Sequence, residues 1–217
     1  MSSNKNLVIL AAGRGIGIDG FNKLNLVLPS SKESILERYL RQFDAEVKIV
    51  VGYKAAEIMS LNPDLNYVYN HNWFETGSAF STYLGAEELP VIIMPCDLFL
   101  SDDAAEVINS SKGDLLFAID SENRSNLNAH VSHKNSEILS IYNGSRKSGN
   151  DKEFTGIVKV STKKTLEKLK KVCETNANFF LSEAIEKIKS EFKMEILKGD
   201  VKEINSINDY IDLFKDN

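Results

Sequence analysis

The stretch NLVILAAGRGIGIDGFNK, from Asn6 to Lys23, carries the apolar run Leu7 to Ala12 into a loop with glycine at positions 13, 15 and 17, and it closes on a lysine. A run of that length bounded by glycine predicts a buried strand. A glycine-rich turn after such a strand leaves unhindered backbone N–H groups at the carboxyl edge of a sheet, where α/β proteins bind ligands, phosphate above all. Two familiar phosphate loops do not fit. The dinucleotide fingerprint would need its third glycine at position 18, which is Ile18, and the ATPase loop would need a Gly-Lys-Ser/Thr triplet, whereas Lys23 follows Asn22.

Outward from this stretch, apolar runs of strand length alternate with segments of helical period, the sign of an α/β sheet covered on both faces. Val47 to Gly52, Tyr67 to Tyr69, Val91 to Met94 and Leu115 to Ile119 read as further strands. Ile35, Leu36, Tyr39, Leu40 and Phe43 form one helix face, with Ser30 and Glu33 as a capping box at its start, and Ala79, Phe80, Tyr83 and Leu84 form another. The later chain predicts short strands at His130 to Ser132 and Ile138 to Tyr142, then a polar stretch, Asn143 to Asp151, read as a mobile loop. Phe154 to Val160 resumes as a strand. Two helices follow, then strands at Met194 to Leu197 and Val201 to Ile204, and a last helix turning Ile207, Tyr210, Ile211 and Phe214 inward. With no internal repeat and no linker, residues 1–217 read as one domain, residues 1–120 forming one half and 121–217 an elaboration.

Composition narrows the classes. Of 217 residues 42% are hydrophobic and 26% charged, which is ordinary for a globular protein, and no apolar run approaches the roughly 20 residues of a membrane span. The short run at Leu7 to Ala12 lacks a basic leader, so a cytoplasmic protein is expected. A net charge of -5 argues against a broad nucleic-acid surface. Cys96 and Cys173 lack metal spacing and read as reduced thiols, and His71, His130 and His133 share no metal or triad spacing.

LAAGRG, Leu10 to Gly15, with a lysine eight residues on, resembles the signature of the nucleotidyltransferases that activate sugar phosphates, choline phosphate and phosphonates, L-A-A-G-x-G-[ST]-R followed by Pro-Lys. The resemblance implies a Rossmann-like, mixed but mainly parallel sheet of the nucleotide-diphospho-sugar transferase type. It also implies a loop of Leu10, Ala11, Ala12, Gly13, Arg14, Gly15, Ile16 and Gly17 that wraps base and triphosphate, and a lysine, Lys23, that neutralises the α-phosphate. Gly17 stands where the family has arginine and Asn22 where it has proline; Arg14 is then the loop's own cation.

Four more pieces lie in the family's order. VIIMPCDLFLS ends an apolar strand at Asp97, which the resemblance makes a catalytic Mg²⁺ ligand. EINSINDY resembles E-I-D-[ST]-x-x-D, with Asn205 in place of the second ligand and Glu203 two residues before it; an amide oxygen still binds Mg²⁺ but adds no charge. YNHNWFETGSAFS resembles the N-x-x-[WY]-x-x-[ST]-x-x-x-x-S segment of the choline-phosphate and phosphonate cytidylyltransferases. Asn70, Trp73, Thr76 and Ser81 hold its positions, and Thr76 or Ser78 opens a helix whose N–H groups suit an anion. KEFTGIVKVS resembles E-F-I-G-[IL]-x-K-x-S, which places Glu153, Gly156 and Lys159 at the acceptor; Thr155, Ile157 and Lys159 share one strand face, on which Lys159 calls for an anion if the face is core and needs none if it is solvent.

The reaction so implied is transfer of a nucleotidyl group, CTP favoured, to a small phosphorylated alcohol or phosphonate, with release of pyrophosphate and Mg²⁺ as cofactor. A sugar 1-phosphate enzyme, a molybdopterin-type transferase and a non-catalytic nucleotide-binding module are the alternatives. An NAD-binding oxidoreductase is disfavoured by the failed fingerprint. Oligomeric state is not legible in these residues.

Overall fold

The computed structural model describes residues 5–29, 31–120 and 128–215. Its frame is a nine-stranded sheet. The strands are β1 (Asn6–Ala11), β2 (Glu46–Val51), β3 (Asn66–Tyr69), β4 (Val91–Pro95), β6 (Leu115–Ile119), β7 (Ala129–Lys134), β8 (Glu137–Asn143), β9 (Lys152–Val160) and β10 (Lys193–Ile196). Their spatial order is β3-β2-β1-β4-β9-β6-β10-β8-β7. The first four pair in parallel, as their connections α1 (Ile35–Gln42), α2 (Ala55–Leu61) and α3 (Ser78–Gly85) require, whereas β9 runs antiparallel to both β4 and β6. Beside the large sheet, β5 (Leu98–Leu100) and β11 (Val201–Glu203) form a two-stranded antiparallel ribbon.

Apolar side chains pack against both faces of the sheet, as the near-continuous hydrophobic strands dictate. On one face, Leu7, Ile9, Ile49 and Met94 meet α1, α2 and α4 (Asp102–Ser110) through Ile35, Ile58 and Ile108. On the other, Val8, Val50, Ile93 and Val158 meet α3, α5 (Lys163–Thr175) and α6 (Leu181–Lys187) through Ala79, Leu169 and Ile185. Among the described residues no helix is long and apolar enough to cross a membrane.

Three expectations change. The capping box of α1 is Ser34 with Glu37, four residues later than expected; Ser30 lies outside the described residues, and Glu33 instead binds Arg38 and Arg41. The last helix, α7 (Ile207–Asp212), turns only Tyr210 of the face read for it against the core. Ile207, Ile211 and Phe214 stay 47%, 43% and 51% exposed, while Leu213 is buried. The helix has six residues, fewer than two turns, and ends before Phe214, so the period that linked Ile207 to Phe214 is broken. The stretch at Asn143 to Asp151 is tied down: the Asp151 carboxylate accepts from the Ser148 amide and the Tyr142 hydroxyl, and the Tyr142 oxygen accepts from the Lys147 amide.

Candidate active site

β1 and β4 are parallel neighbours, so their carboxyl ends open side by side, β1 into the glycine loop and β4 into Pro95-Cys96-Asp97. Gly15 takes a left-handed φ of 58°, and its carbonyl accepts from the amides of Ile18 and Gly20, which curls the loop back toward the sheet. A short 3₁₀ turn at Lys23–Asn25, capped by the Asn22 side chain on the Leu24 amide, then aims Lys23 across the end of β4.

There Lys23 Nζ donates to Asp97 Oδ2 at 2.9 Å and to Asn205 Oδ1 at 3.1 Å. Residues 23, 97 and 205 meet because the ribbon staples the C-terminal segment to the turn after β4. β11 pairs with β5, and the Ile204 amide donates to the Asp97 carbonyl at 2.8 Å. From below, the buried Tyr39 hydroxyl donates to the Leu98 carbonyl. Burial, with Asp97 beside it, pushes the Tyr39 phenol well above its ordinary range, so it serves as a neutral strut. Burial likewise pushes the Cys96 thiol up to about 12, with Asp97 adding to the effect, and no thiolate is available next to the carboxylate.

The other oxygen of Asp97, Oδ1, is buried and accepts no hydrogen bond. A buried carboxylate oxygen without a donor is costly unless a cation completes it. Asp97 and Asn205 both offer hard oxygens, so the pair fits Mg²⁺. No group of three or more His, Cys, Asp or Glu side chains among the described residues could hold a metal ion by itself. An ion here would therefore take most of its ligands from bound phosphate and water.

A cavity of about 520 Å³ opens beside this cluster, and Leu10, Ala11, Ala12, Gly13, Gly15 and Lys23 form its glycine-loop wall. Thr76, Ser78, Ser81, Asp97 and Gly156 also line it. Asn70 is buried and donates to Thr76 and Ser81, fixing that wall from behind. Trp73 lies at the rim, edge-on to Tyr53. Gly156 has φ 79°, and a Cβ there would come within 3.1 Å of the Pro95 ring, so the glycine lets β9 approach the turn that carries Asp97. Thr155 and Asn143, with Asn128 and Phe180 from outside every motif, complete the side toward β9 and α6. No motif spacing marks Asn128 or Phe180, which precede β7 and α6 and reach the cavity only through the tertiary packing of those elements.

Several expected site residues lie elsewhere. Arg14 and Ile16 are not on the cavity wall: the Arg14 guanidinium lies over the Tyr53 ring at 5.7 Å, and Ile16 is 78% exposed. Gly17 backs onto the C-terminal segment, where a Cβ would meet the Asn205 carbonyl oxygen at 1.9 Å. Glu153 is buried next to the cavity wall and accepts from Asn128 Nδ2 at 2.7 Å. Lys159 is not on the cavity wall. Three residues along β9 from Gly156, its ammonium is buried and donates to the carbonyls of Ile108, Asn109 and Ser111, the C-terminal end of α4. Carbonyl ends of a helix, not an acceptor anion, compensate its charge. At the start of α3, part of the donor set expected to face an anion is already engaged by the segment before α6. The amides of Gly77 and Ala79 donate to Ala177 and Phe179, and Ser78 Oγ accepts from the Leu181 amide.

This sheet order, with its glycine loop and its C-terminal ribbon, defines an α/β fold of the nucleotide-diphospho-sugar transferase type. The chain is similar in structure to a CTP:phosphocholine cytidylyltransferase from Streptococcus pneumoniae, with a TM-score of 0.75 at 18% identity over 97% of this chain and 98% of that one. An inositol-1-phosphate CTP transferase from T. maritima matches with a TM-score of 0.72 at 17% identity over 99% and 97% of the two chains. HddC from Yersinia pseudotuberculosis matches at 0.67 and 18% identity over 98% and 99%. No protein-family model and no curated protein sequence matches the chain.

Proposed function

We propose that the chain is a Mg²⁺-dependent nucleotidyltransferase that joins CTP to a small phosphorylated alcohol or phosphonate, of the phosphocholine or 2-aminoethylphosphonate kind, and releases pyrophosphate. The observation that carries this reading is the meeting of Lys23, Asp97 and Asn205 at the carboxyl edge of β1 and β4, beside a glycine loop. The likeness in fold to two proteins named for CTP supports the choice of nucleotide, and a cavity of about 520 Å³ suits a nucleotide with a small acceptor.

Among the described residues lining the cavity, Lys23 is the one cation, against the carboxylates of Asp97 and Glu203. A triphosphate entering there needs further positive charge, which is the physical case for the divalent ion. Asp97 and Asn205 would hold Mg²⁺, which when bound offsets phosphate charge and aligns the oxygens of attacking and leaving groups. The glycine-loop amides face the phosphates, and Lys23 neutralises the α-phosphate under attack. The acceptor arrives from the Gly156 and Thr155 side. One of its phosphate or phosphonate oxygens forms a bond to the α-phosphorus as the bridging bond to the β-phosphate breaks, and pyrophosphate departs with the electron pair. A phosphate monoester has its second pKa near about 6, so the nucleophile is already ionised and no general base is called for. Catalysis then rests on positioning and charge.

The test is pyrophosphate release from each of four nucleoside triphosphates with Mg²⁺, across phosphocholine, aminoethylphosphonate and hexose 1-phosphates. Turnover is expected with CTP and the first two acceptors, and Asp97→Asn should abolish it without unfolding the chain. Nucleotide binding with no turnover in any pair would leave a non-catalytic module instead. Turnover confined to hexose 1-phosphates would make the chain a sugar-phosphate enzyme.

A further inference from the structure

We propose that the Lys23 ammonium is a built-in stand-in for the divalent ion. It holds the oxygens of Asp97 and Asn205 until a nucleotide carrying its own ion takes that place and draws the ammonium onto phosphate. The inference rests on the transferase reading for the identity of the displacing ligand, but its geometry is independent of that reading.

One ammonium spans both oxygens, at 2.9 Å and 3.1 Å, so the position between them is occupied by a positive charge supplied by the chain. The backbone on every side is fixed. Lys23 sits in a capped 3₁₀ turn, and the segments bearing Asp97 and Asn205 are joined by the Ile204 amide on the Asp97 carbonyl. Exchange of cations therefore requires only that the Lys23 side chain swing, its four-carbon stem being flexible.

Charge then decides what can displace it. Asp97 contributes one negative charge and Asn205 none, so the ammonium balances the pair. A bare divalent ion brought to the same oxygens would set three positive charges against the one negative charge of Asp97, with Glu203 the one other carboxylate among the described residues lining the cavity, and it would have to evict the lysine without bringing any anion to receive it. A triphosphate removes both obstacles, because it supplies negative oxygens to the ion and a new partner to the ammonium. Ion and nucleotide consequently enter together, and Lys23 reaches the α-phosphate only once the ion has arrived. Asn205 is what makes this device tight: a second carboxylate would leave residual negative charge for a free ion even with the lysine in place.

The experiment uses the full chain and Mn²⁺ alone, without nucleotide or acceptor, and follows the electron paramagnetic resonance signal of unbound Mn²⁺. Wild type, Lys23→Met, Lys23→Gln and each of these combined with Asp97→Asn are compared, with thermal melts to establish folding. Both single variants should bind Mn²⁺ about tenfold tighter than wild type or better, as removal of a like charge demands, and Asp97→Asn should cancel the gain. A folded Lys23 variant that binds Mn²⁺ no tighter than wild type overturns the proposal, as does a gain that survives Asp97→Asn. Should Lys23→Met fail to fold, Lys23→Gln, which keeps a neutral donor, decides. The readout needs no turnover: absent pyrophosphate release would remove the transferase reading and leave this one standing, while an active enzyme without the Mn²⁺ gain would remove this one alone.

Discussion

Gly17 occupies the position where the resemblance to nucleotidyltransferases calls for arginine, and its surroundings give the reason. A Cβ there would lie 1.9 Å from the Asn205 carbonyl oxygen and 3.1 Å from its carbon, so the missing side chain is the condition for the C-terminal segment to close over the glycine loop. Gly17→Ala should therefore push Asn205 off the Lys23 cluster, with a loss of about 1–3 kcal/mol in urea unfolding and a drop in turnover of at least about tenfold. Gly13→Ala is the control for stability, since nothing lies within 4 Å of a Cβ at that position, and it should stay within about 0.5 kcal/mol of wild type. Lys159 makes a parallel case. Its three hydrogen bonds to the end of α4 are structural, and burial holds its pKa below the ordinary lysine value. Lys159→Met should cost about 2–4 kcal/mol by leaving those carbonyls without their donor, while the KM for acceptor stays unchanged in the folded fraction. A raised KM with unaltered stability would return Lys159 to the acceptor site.

At the scale of elements, α1 is fastened to the start of α4 by a knot of charge. Arg41 and Arg38 bind Glu33, and Arg41 with Gln42 binds Asp102. The Arg41 hydrogen bond, then Arg38, holds the Glu33 carboxyl below its ordinary range, and the Gln42 and Arg41 bonds do the same for Asp102. The unfolded chain binds protons at these carboxyls more readily than the folded one. Their contribution is thus complete above the ordinary carboxylate pKa of about 4 and is lost as pH falls through the lowered folded values. Unfolding free energy measured from about pH 5 down to pH 2 should fall less steeply in Arg41→Gln than in wild type, the difference being roughly 0.5–1 kcal/mol because the Arg41 side chain is half exposed. Identical slopes would show that the knot adds nothing. The same elements show what a sequence can carry. Strands such as β1, β4 and β6 are legible because central strands covered on both faces are unbroken apolar runs between turn residues. Helix α2 was not, since its seven residues start from Lys54 in a left-handed conformation and show no cap that a reader could recognise. The partners of Lys23 could be named from the family's spacing, but the direct contact among them could not, because it depends on the β5–β11 ribbon. Lys159 was read as needing a compensating group, which is sound physics. The group proved to be a helix end from a segment 48 to 51 residues away, which no local pattern announces.

For the whole molecule, strand order bears directly on whether residues 1–120 and 121–217 are separable units for nucleotide and acceptor. β9 belongs to the later segment, yet it lies between β4 and β6 of the earlier one, bonded to both. β6 has no neighbour from the first 120 residues: its partners are β9 and β10. A second seam joins α3 to the start of α6, where Gly77 permits the approach of Phe179, a Cβ there falling 2.1 Å from its carbonyl oxygen. Without residues 121–217, the edge of β4 would expose Val91, Ile92 and Ile93, all buried in the intact chain, and Leu115–Ile119 would lose its whole ladder. An open, apolar central strand edge is a template for pairing between chains. The fragment 1–120 is accordingly expected to aggregate or to melt without a cooperative transition. The full chain should unfold in one step, with Trp73 fluorescence at the cavity rim and far-UV circular dichroism giving coincident urea curves. Because the two halves share strands, the walls proposed for nucleotide and acceptor are held by one hydrogen-bonded frame, and binding at either should raise the midpoint of that single transition. A soluble fragment 1–120 with a sigmoidal melt of its own would contradict this, and would make the division of the chain one of folding as well as of ligand contacts.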